Sequence, residues 1–561
     1  MDNLKILTPT QLWAGYDPEE LPLDISYIGI ESREKVTEKK LYFTVDELAD
    51  GKIRAFMRIV YPAGVNKRLP AVVFLPSVST LQVSDSFIEE IVGAGYIFAT
   101  VDYSGYAEGK ENHTVYPKSA AECECEKDGY RLCSVKDGDM HHACWFSWTK
   151  IVRRAVTLLC SDFSVDKDRI ALIGVKDGAQ LVWETAGIDN RICAIVPILG
   201  CGYNYHKEPR YSDKPEKEMP AELVAFVAAL ASQSYAKMVT CPVLYEGTTN
   251  SEYADVDRIK EILDLAPSEN KLMAITARAT ESIDDVNFKS IIAWLGKIFA
   301  GEEITEKAPE IKAYVSEGVM YCSVTAEAKP RSVTVYTAFD QDVPELRNWN
   351  EGRSPVMSGE GEYFIDISVP EGTKKVFIFA NALYESGILC STDIKCFDPV
   401  KEGVTKFAPV RKNKTRIIFS GSQDSGAFAV ENDLFAVAAN NLYIKEGPCG
   451  IKGIGSTAGW LSTYKLGENK FAGEDGYILQ MDVFTSRECS ITFSMSTFAD
   501  DKFRAYSAVR KFPASKRWQR VNFSVADFKD EERVSLKSWK IVRRFEIKDA
   551  ADVLFNNVLW V

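Results

Sequence analysis

One stretch constrains this chain more than any other, residues 169–180, which read RIALIGVKDGAQ. It begins as an apolar run typical of a buried strand, passes through the turn at 174–178, and continues with helical spacing. The turn itself is a tight Gly-x-x-x-Gly turn between the strand and the start of the helix. A strand buried on both faces and followed at once by a helix predicts an α/β domain, with a mostly parallel sheet and helices on both faces.

The first 300 residues keep this alternation of apolar strands and amphipathic helices. The strands are predicted at 71–75, 96–101, 169–174, 193–199, 242–245 and 271–276, and the helices at 84–92, 145–159, 178–187 and 286–299. An earlier pair of strands, joined at Asp50 and Gly51, predicts a hairpin. Residues 1–35 look irregular. We predict an α/β domain over 1–305, with a polar insertion at 107–145 and a cap region at 200–237.

The second half of the chain has a different pattern. Short alternating strands separated by turn residues predict an immunoglobulin-like β-sandwich over 306–400. After a basic linker, the strands of 415–561 predict a larger, jelly-roll-like sandwich. A chain of 561 residues is long enough for several such domains.

Charge and composition narrow the classes of partner. The net charge is −13, which disfavours nucleic acid and anionic membranes as partners. No apolar run is long enough to span a bilayer. No signal peptide is visible, so we expect a cytoplasmic protein, with a secreted chain whose leader has been removed as the alternative. The 13 cysteines fit free thiols in a reducing compartment, and the oligomeric state stays open.

Four segments resemble the α/β-hydrolase superfamily, in particular its dienelactone-hydrolase and acetylxylan-esterase-like branch. They are residues 12–18 (LWAGYDP), 101–106 (VDYSGY), 174–178 (GVKDG) and 245–250 (YEGTTN). Segments 518–523 (WQRVNF) and 554–560 (LFNNVLW) resemble the galactose-binding-like sandwiches of carbohydrate-binding modules. These resemblances imply an esterase-like site at the turn 174–178, the elbow turn, and a carbohydrate as the partner.

Ester hydrolysis on this fold uses a serine, an acid and a histidine in that chain order. The elbow turn carries Lys176 where the serine would stand, and Asn250 where the acid would stand. No histidine follows His206, and residues 76–79 (PSVS) replace the usual His-Gly after the strand at 71–75. Nearby acids that could substitute are Glu252, Asp255 and Asp257. The sequence therefore predicts a non-catalytic or diverged pseudo-esterase that lacks the standard triad.

Two other functions stay open. An active carboxylic-ester hydrolase would need a relocated constellation, drawn from Ser77, Ser104 or Asp177 together with a histidine. The histidines that could supply it are His113, His141, His142 and His206. A scaffold protein, in which the two sandwiches mediate assembly, is the other alternative.

The polar insertion at 107–145 is rich in sulfur and imidazole ligands. A tetrahedral zinc site needs four such ligands. The candidates are Cys123, Cys125, Cys133, Cys144 and His141. Their spacing, C-x-C-x7-C-x7-H-H-x-C, matches no standard ribbon or finger. We expect no cofactor, with a structural zinc ion as the alternative.

Aromatic side chains of the last domain are candidates for stacking on sugar rings. They are Trp460, Tyr464, Tyr477 and Trp518. The alternative for each is a position in the hydrophobic core, where large aromatic residues are most often found.

Overall fold

A computed structural model gives the fold of the chain. It describes residues 4–64, 66–78, 83, 85–105, 112–121, 138–203, 205–206, 208–281, 283–350, 352–359, 361–409, 415–421, 423, 425–430, 441–499 and 502–561.

The α-helices of the described residues all lie before residue 301. They are α1 (Pro9–Leu12), α2 (Asp85–Gly93), α3 (Lys118–Ala121), α4 (Cys144–Ser161), α5 (Asp177–Ile188), α6 (Ala221–Leu230), α7 (Ser232–Ala236), α8 (Ile259–Leu265) and α9 (Asp285–Ala300).

Nine strands form the sheet of this α/β unit. They are β1 (Ser26–Ser32), β2 (Val36–Leu48), β3 (Gly51–Pro62), β4 (Leu69–Leu75), β5 (Ile97–Asp102), β6 (Val165–Val175), β7 (Ile192–Ile198), β8 (Val243–Thr248) and β9 (Lys271–Thr276). Their order in the sheet is β1-β2-β3-β5-β4-β6-β7-β8-β9. The strands from β5 to β9 run parallel, while β1, β2 and β3 pair antiparallel.

This topology confirms the predicted fold class, an α/β-hydrolase-type sheet that is mostly parallel and is followed by all-β sheets. One large core lies on the face that packs against α4, α5 and α6, and a second lies under α2 and α9. Strand β4 is fully buried along its length, as expected for the centre of a parallel sheet. No helix in the described part of the chain has the length and apolar character to cross a membrane.

The first sandwich (residues 310–397) packs on the α/β unit. Its strands are β10 (Glu310–Ser316), β11 (Val319–Thr325), β12 (Ser332–Phe339), β13 (Val356–Gly359), β14 (Glu362–Ile367), β15 (Val376–Leu383), β16 (Leu389–Ser391) and β17 (Lys395–Phe397). Ile275, on the edge strand β9, donates its N–H to Ser391 Oγ at 2.8 Å and accepts from Asn381 Nδ2 at 2.9 Å. An exposed sheet edge invites pairing with another chain, and these side chains cover it.

The second sandwich (residues 417–560) has its own core. Its strands are β18 (Ile417–Phe419), β19 (Ala429–Val430), β20 (Leu442–Glu446), β21 (Lys452–Ser456), β22 (Leu461–Thr463), β23 (Leu479–Phe484), β24 (Cys489–Ala499), β25 (Lys502–Phe512), β26 (Gln519–Phe523), β27 (Val542–Lys548) and β28 (Leu554–Trp560). One sheet has the order β20-β21-β28-β23-β26, with β18 beside β28, and the other has the order β19-β22-β27-β24-β25.

The start of the chain is more regular than its sequence indicates. Residues 26–32 form strand β1, although we interpreted residues 1–35 as irregular. The strand pairs only with β2 and is exposed on most of its length, so it lacks the burial alternation that marks a strand in sequence. Trp13 fixes the preceding segment, since its indole N–H donates to Tyr235 Oη at 2.9 Å.

Candidate functional site

The elbow turn lies between β6 and α5, and its tip is Lys176. This residue has φ 55° and ψ −109°, a backbone conformation that side chains other than glycine rarely adopt. Its N–H donates to Ile198 O on the neighbouring strand β7 at 2.8 Å. Such strain persists only where the surrounding structure imposes it, and it concentrates at functional sites.

The two glycines of the elbow turn make this conformation possible through close backbone approach. A Cβ on Gly178 would lie 2.1 Å from Leu75 O, and a Cβ on Gly174 would lie 2.2 Å from Gly178 O. Neither position can hold a side chain without moving the backbone. The strand, turn and helix therefore pack as the sequence predicts.

The Lys176 side chain is held by two residues from neighbouring loops. Its ammonium donates to Glu281 Oε2 at 2.8 Å and lies 4.0 Å from the centre of the Tyr253 ring. The lysine side chain is only 7% exposed and that of Glu281 is 32% exposed. Burial, together with the charges of Glu281 and Asp177, raises the pKa of Tyr253 to about 12. The tip of the elbow turn is thus a shielded ion pair covered by an aromatic ring.

Asp177, the next residue, bonds to the loop that follows β4. Its Oδ2 accepts from Ser77 Oγ at 2.9 Å and from the Val78 N–H at 3.1 Å. Of the pocket candidates, the structure brings Ser77, Lys176 and Asp177 together. The Asp177 carboxylate therefore already accepts the backbone N–H of Val78, at the carboxyl end of the sheet.

Asn250 faces away from the elbow turn and toward the first sandwich. Its side chain is fully buried, and Nδ2 donates to Glu345 O at 3.1 Å and to Arg347 O at 2.9 Å. Thr249 Oγ1 donates to Asn250 Oδ1 at 2.8 Å. The oxygen and the nitrogen of the Asn250 amide are therefore both bonded within the protein.

Ser104, His141 and His206, three of the remaining candidates, have partners of their own. Ser104 Oγ is 3.4 Å from an oxygen of Asp102, in the turn that follows β5. His141 bonds to Asp139 at 2.7 Å and to Leu12 O at 3.1 Å. His206 faces Glu216 at 3.4 Å. His113 and His142 are both exposed.

A row of charged side chains begins at Glu252, which precedes Tyr253 in the chain, and reaches the second sandwich. We call it the polar row, made of Glu252, Arg544, Glu546 and Lys548. Glu252 is 3.6 Å from Arg544, which is 3.1 Å from Glu546. Lys548 is 3.0 Å from Glu546. Burial works to raise the pKa of Glu546, but Arg544 and Lys548 together hold it below its ordinary value.

Trp460 lies at the far end of the polar row. Its indole N–H donates to Glu546 at 2.5 Å, and the Lys548 ammonium lies 4.5 Å from the centre of its ring. Trp460 is half-buried, whereas Tyr464 is buried in the sandwich.

The other two aromatic candidates lie elsewhere on the second sandwich. Trp518 covers the backbone of Gly447 and Gly453, where an added Cβ would meet its ring at 2.7 Å. Tyr477 lies under the Arg416 guanidinium at 4.7 Å. Among the four aromatic candidates, Trp460 is therefore the one that the contacts described above connect to Glu252, the chain neighbour of Tyr253.

The metal candidates are only partly described. Cys123, Cys125 and Cys133 lie outside the described residues. Cys144 is buried at the start of α4, and none of the ten described cysteines is in a disulfide. Within that part of the chain, no three His, Cys, Asp or Glu side chains are grouped to hold a metal ion.

Sequence reasoning missed Glu281, Tyr253 and Arg544. Glu281 lies in the loop after β9, where the resemblance predicts the histidine. Loops that follow parallel strands meet at one edge of the sheet, so an acid in that loop can reach Lys176. That placement was a usable signal for Glu281. Arg544 belongs to another domain, and no local pattern in the sequence connects it to Glu252.

The class that these features define is an α/β-hydrolase-type fold with appended β-sandwiches. No protein-family model matches the chain, and no curated protein matches its sequence. Among solved structures, it is similar to acetyl xylan esterase 1 from Thermoanaerobacterium sp. JW/SL YS485, at 12% identity over 53% of this chain and 96% of that one, with a TM-score of 0.42.

Two further solved structures are similar to the same part of the fold. The acetyl xylan esterase from Paenibacillus sp. R4 is 15% identical over 50% of this chain and 90% of its own, with a TM-score of 0.40. A glucuronoyl esterase from Solibacter usitatus is 16% identical over 51% of this chain and 88% of its own, with a TM-score of 0.35.

Proposed function

We propose that this protein is a carbohydrate-associated pseudo-esterase, in which the elbow turn binds a ligand and does not cleave esters. The observation that carries the proposal is the Lys176 ammonium at the tip, bonded to Glu281 at 2.8 Å. An acyl-ester intermediate needs a nucleophile activated by an adjacent base. An ammonium has no lone pair with which to attack, and its partner here is a carboxylate instead of a histidine.

The position of Asp177 supports the same conclusion. On this fold the oxyanion is stabilised by the N–H after the nucleophile and by an N–H from the loop after an earlier strand. The Val78 N–H lies in such a loop, and it donates to Asp177 Oδ2 at 3.1 Å. A negative charge beside that donor opposes the negative charge of a tetrahedral intermediate.

The polar row supports a carbohydrate as the ligand. Sugars are bound by carboxylates and cations that bond hydroxyl groups, beside an aromatic face that stacks on the ring. Glu252, Arg544 and Glu546 supply the polar groups, and Trp460 supplies the ring. The proposed site extends from Tyr253, which is 37% exposed, to Trp460.

The hydrolytic part of the proposal is tested with p-nitrophenyl acetate and the full chain. We expect no turnover above the buffer blank, both for the natural chain and for Lys176→Met. Turnover that is lost in Lys176→Met would overturn the proposal.

The binding part is tested by affinity electrophoresis in gels that contain neutral polysaccharides. We expect retardation that disappears in Trp460→Ala. Trp518→Ala is the matched control, since this tryptophan is also half-buried but packs against the other sheet of the sandwich. Loss of binding in Trp518→Ala alone would place the glycan elsewhere and refute the proposed site.

A second candidate function rests on one contact. Ser77 is buried and donates to Asp177 at 2.9 Å, so a serine and a carboxylate do meet beside the elbow turn. If this pair is an active hydrolytic centre, the p-nitrophenyl acetate activity is present and is abolished by Ser77→Ala. The same assay therefore separates the two functions.

A further inference from the structure

We propose that strand β1, the uncovered edge of the α/β sheet, pairs antiparallel with β1 of a second copy of this chain. The other edge of the sheet, β9, is covered from within the chain by Ser391 and Asn381. Among the described residues β1 pairs only with β2, so its outer edge keeps backbone groups that a further strand can bond. The elbow turn follows β6 near the middle of the sheet, so this pairing does not depend on the proposed function.

The side chains at this edge are apolar and exposed. Ile25, Tyr27, Ile28 and Ile30 are 38%, 53%, 45% and 60% exposed. Natural sheets protect a free edge with lysine, proline or an inward-pointing charge, and residues 25–30 (ISYIGI) contain none of these. An unprotected apolar edge of this kind is typical of a strand that another chain covers.

A β-bulge decides which side chains of β1 share a face. The register against β2 shifts between Tyr27 and Gly29. Tyr27 lies opposite Leu41. Ile30 lies opposite Lys39, which is two residues from Leu41 on β2. Because residues two apart in a strand point to the same face, Tyr27 and Ile30 share a face although they are three residues apart.

This spacing makes β1 complementary to its own copy. In one antiparallel register, apolar residues of β1 lie opposite apolar ones, and small residues lie opposite small ones. The three pairs, each of which occurs twice around the two-fold axis, are Tyr27 with Ile28, Ser26 with Gly29, and Ile25 with Ile30. Ile25 is two residues from Tyr27 and so lies on the same face as Ile30, which lets these two side chains meet across the strands. A two-fold pair is closed, so the association stops at two copies.

The charges beside β1 are compatible with this register. Glu31 would lie opposite Asp24 of the copy, and each acid already has a cation. Arg33 is 3.3 Å from Glu31, and Lys52 is 2.9 Å from Asp24 and 2.6 Å from Glu47. A strand of seven residues is about 23 Å long, so the contact lies at the low end of interface sizes, below about 1,200 Å² in total. We therefore expect a dimer that dissociates in the micromolar range and is not obligate.

Sedimentation velocity of the full chain over the micromolar range tests the pairing. We expect the average mass to rise with concentration toward twice that of one chain. Ile30→Lys should raise the dissociation constant at least about tenfold, because a lysine would then face Ile25 in both halves of the strand pair. Val356→Lys is the matched control and should leave the constant unchanged. Val356 is 74% exposed and also lies on an edge strand, β13 of the first sandwich.

Mixing two variants tests the register. Ile25→Glu and Ile30→Lys should each weaken the dimer, and their equimolar mixture should restore it. In the mixed pair the glutamate of one chain lies opposite the lysine of the other, while the second contact remains isoleucine with isoleucine. A mixture that associates no more than either variant would refute the self-pairing of β1.

Three other outcomes would also overturn the proposal. One is a chain that stays monomeric over the micromolar range, and another is a dimer that Ile30→Lys leaves unchanged. The third is a dimer that is lost in Val356→Lys alone, which would assign the association to the first sandwich.

Discussion

Replacing Arg347 by methionine tests how the first sandwich is fixed to the α/β unit. Its guanidinium forms two bonds with the Asp257 carboxylate, at 2.5 and 2.6 Å, and both side chains are 0% exposed. It also donates to Gln341 O at 2.8 Å and to Asp342 O at 3.0 Å. Removing one partner of a buried pair leaves the other charge unpaired, which costs about 3 to 5 kcal/mol.

The loss in Arg347→Met should also depend on pH. Burial first, and then Asp257, raises the pKa of Asp255 to about 7, and Arg347 opposes that rise. Without the guanidinium, the pKa of Asp255 in the folded protein rises further above its unfolded value. A carboxyl with a raised folded pKa stabilises the protein at low pH and loses that contribution as the pH rises. The loss of unfolding free energy in Arg347→Met, relative to the natural chain, should therefore be larger at pH 8 than at pH 5.5.

The assay is urea unfolding followed by circular dichroism and tryptophan fluorescence, using the first transition of this multidomain chain. We expect Arg347→Met with Asp257→Asn to recover part of the loss, because no unpaired charge then remains. Lys289→Met, at the exposed pair with Asp285, is the control and should leave the midpoint unchanged. A loss below about 1 kcal/mol in Arg347→Met, or a double variant no better than either single one, would refute the reasoning.

Three further results are expected. Lys176→Gly should be about 1 to 2 kcal/mol more stable than Lys176→Ala in urea unfolding. Both substitutions remove the ion pair, and only glycine relieves the strain at φ 55°. Equal stability of the two variants would contradict this expectation. Burial raises the pKa of Glu184 to about 8, so the natural chain should lose up to about 1.4 kcal/mol of stability per pH unit between pH 5.5 and 8. Glu184→Gln should remove this loss, and parallel pH profiles of the two proteins would refute the expectation. Asn250→Asp should destabilise the protein by about 3 kcal/mol at pH 7 and by less at pH 4, because a carboxylate would face carbonyl oxygens that now accept from the amide. An unchanged thermal midpoint at both pH values would contradict this expectation.

The parts of the fold that could be predicted are those set by local pattern. Continuous apolar runs mark the parallel strands, since both faces of the sheet are covered, and the Gly174 and Gly178 spacing marks the elbow turn. Strand β1 could not be predicted, because an exposed edge strand has no burial period. For the Lys176–Glu281 pair, the sequence shows only that the loops carrying the two residues lie at the same edge of the sheet. The Arg347–Asp257 pair joins residues 90 positions apart in different domains, and nothing local in the sequence specifies it.

The two loops in which the resemblance predicts the acid and the histidine share one feature in the structure. The loops after β8 and β9 would carry the acid and the histidine in an active hydrolase of this fold. Here Asn250 in the first loop bonds the first sandwich, and Arg278 in the second bonds the second sandwich. Loops that hold three domains together cannot also rearrange freely around a reacting ester. Under the proposed function, we expect that a serine at 176 alone does not confer hydrolysis, since the loops that would supply its partners bond the two sandwiches.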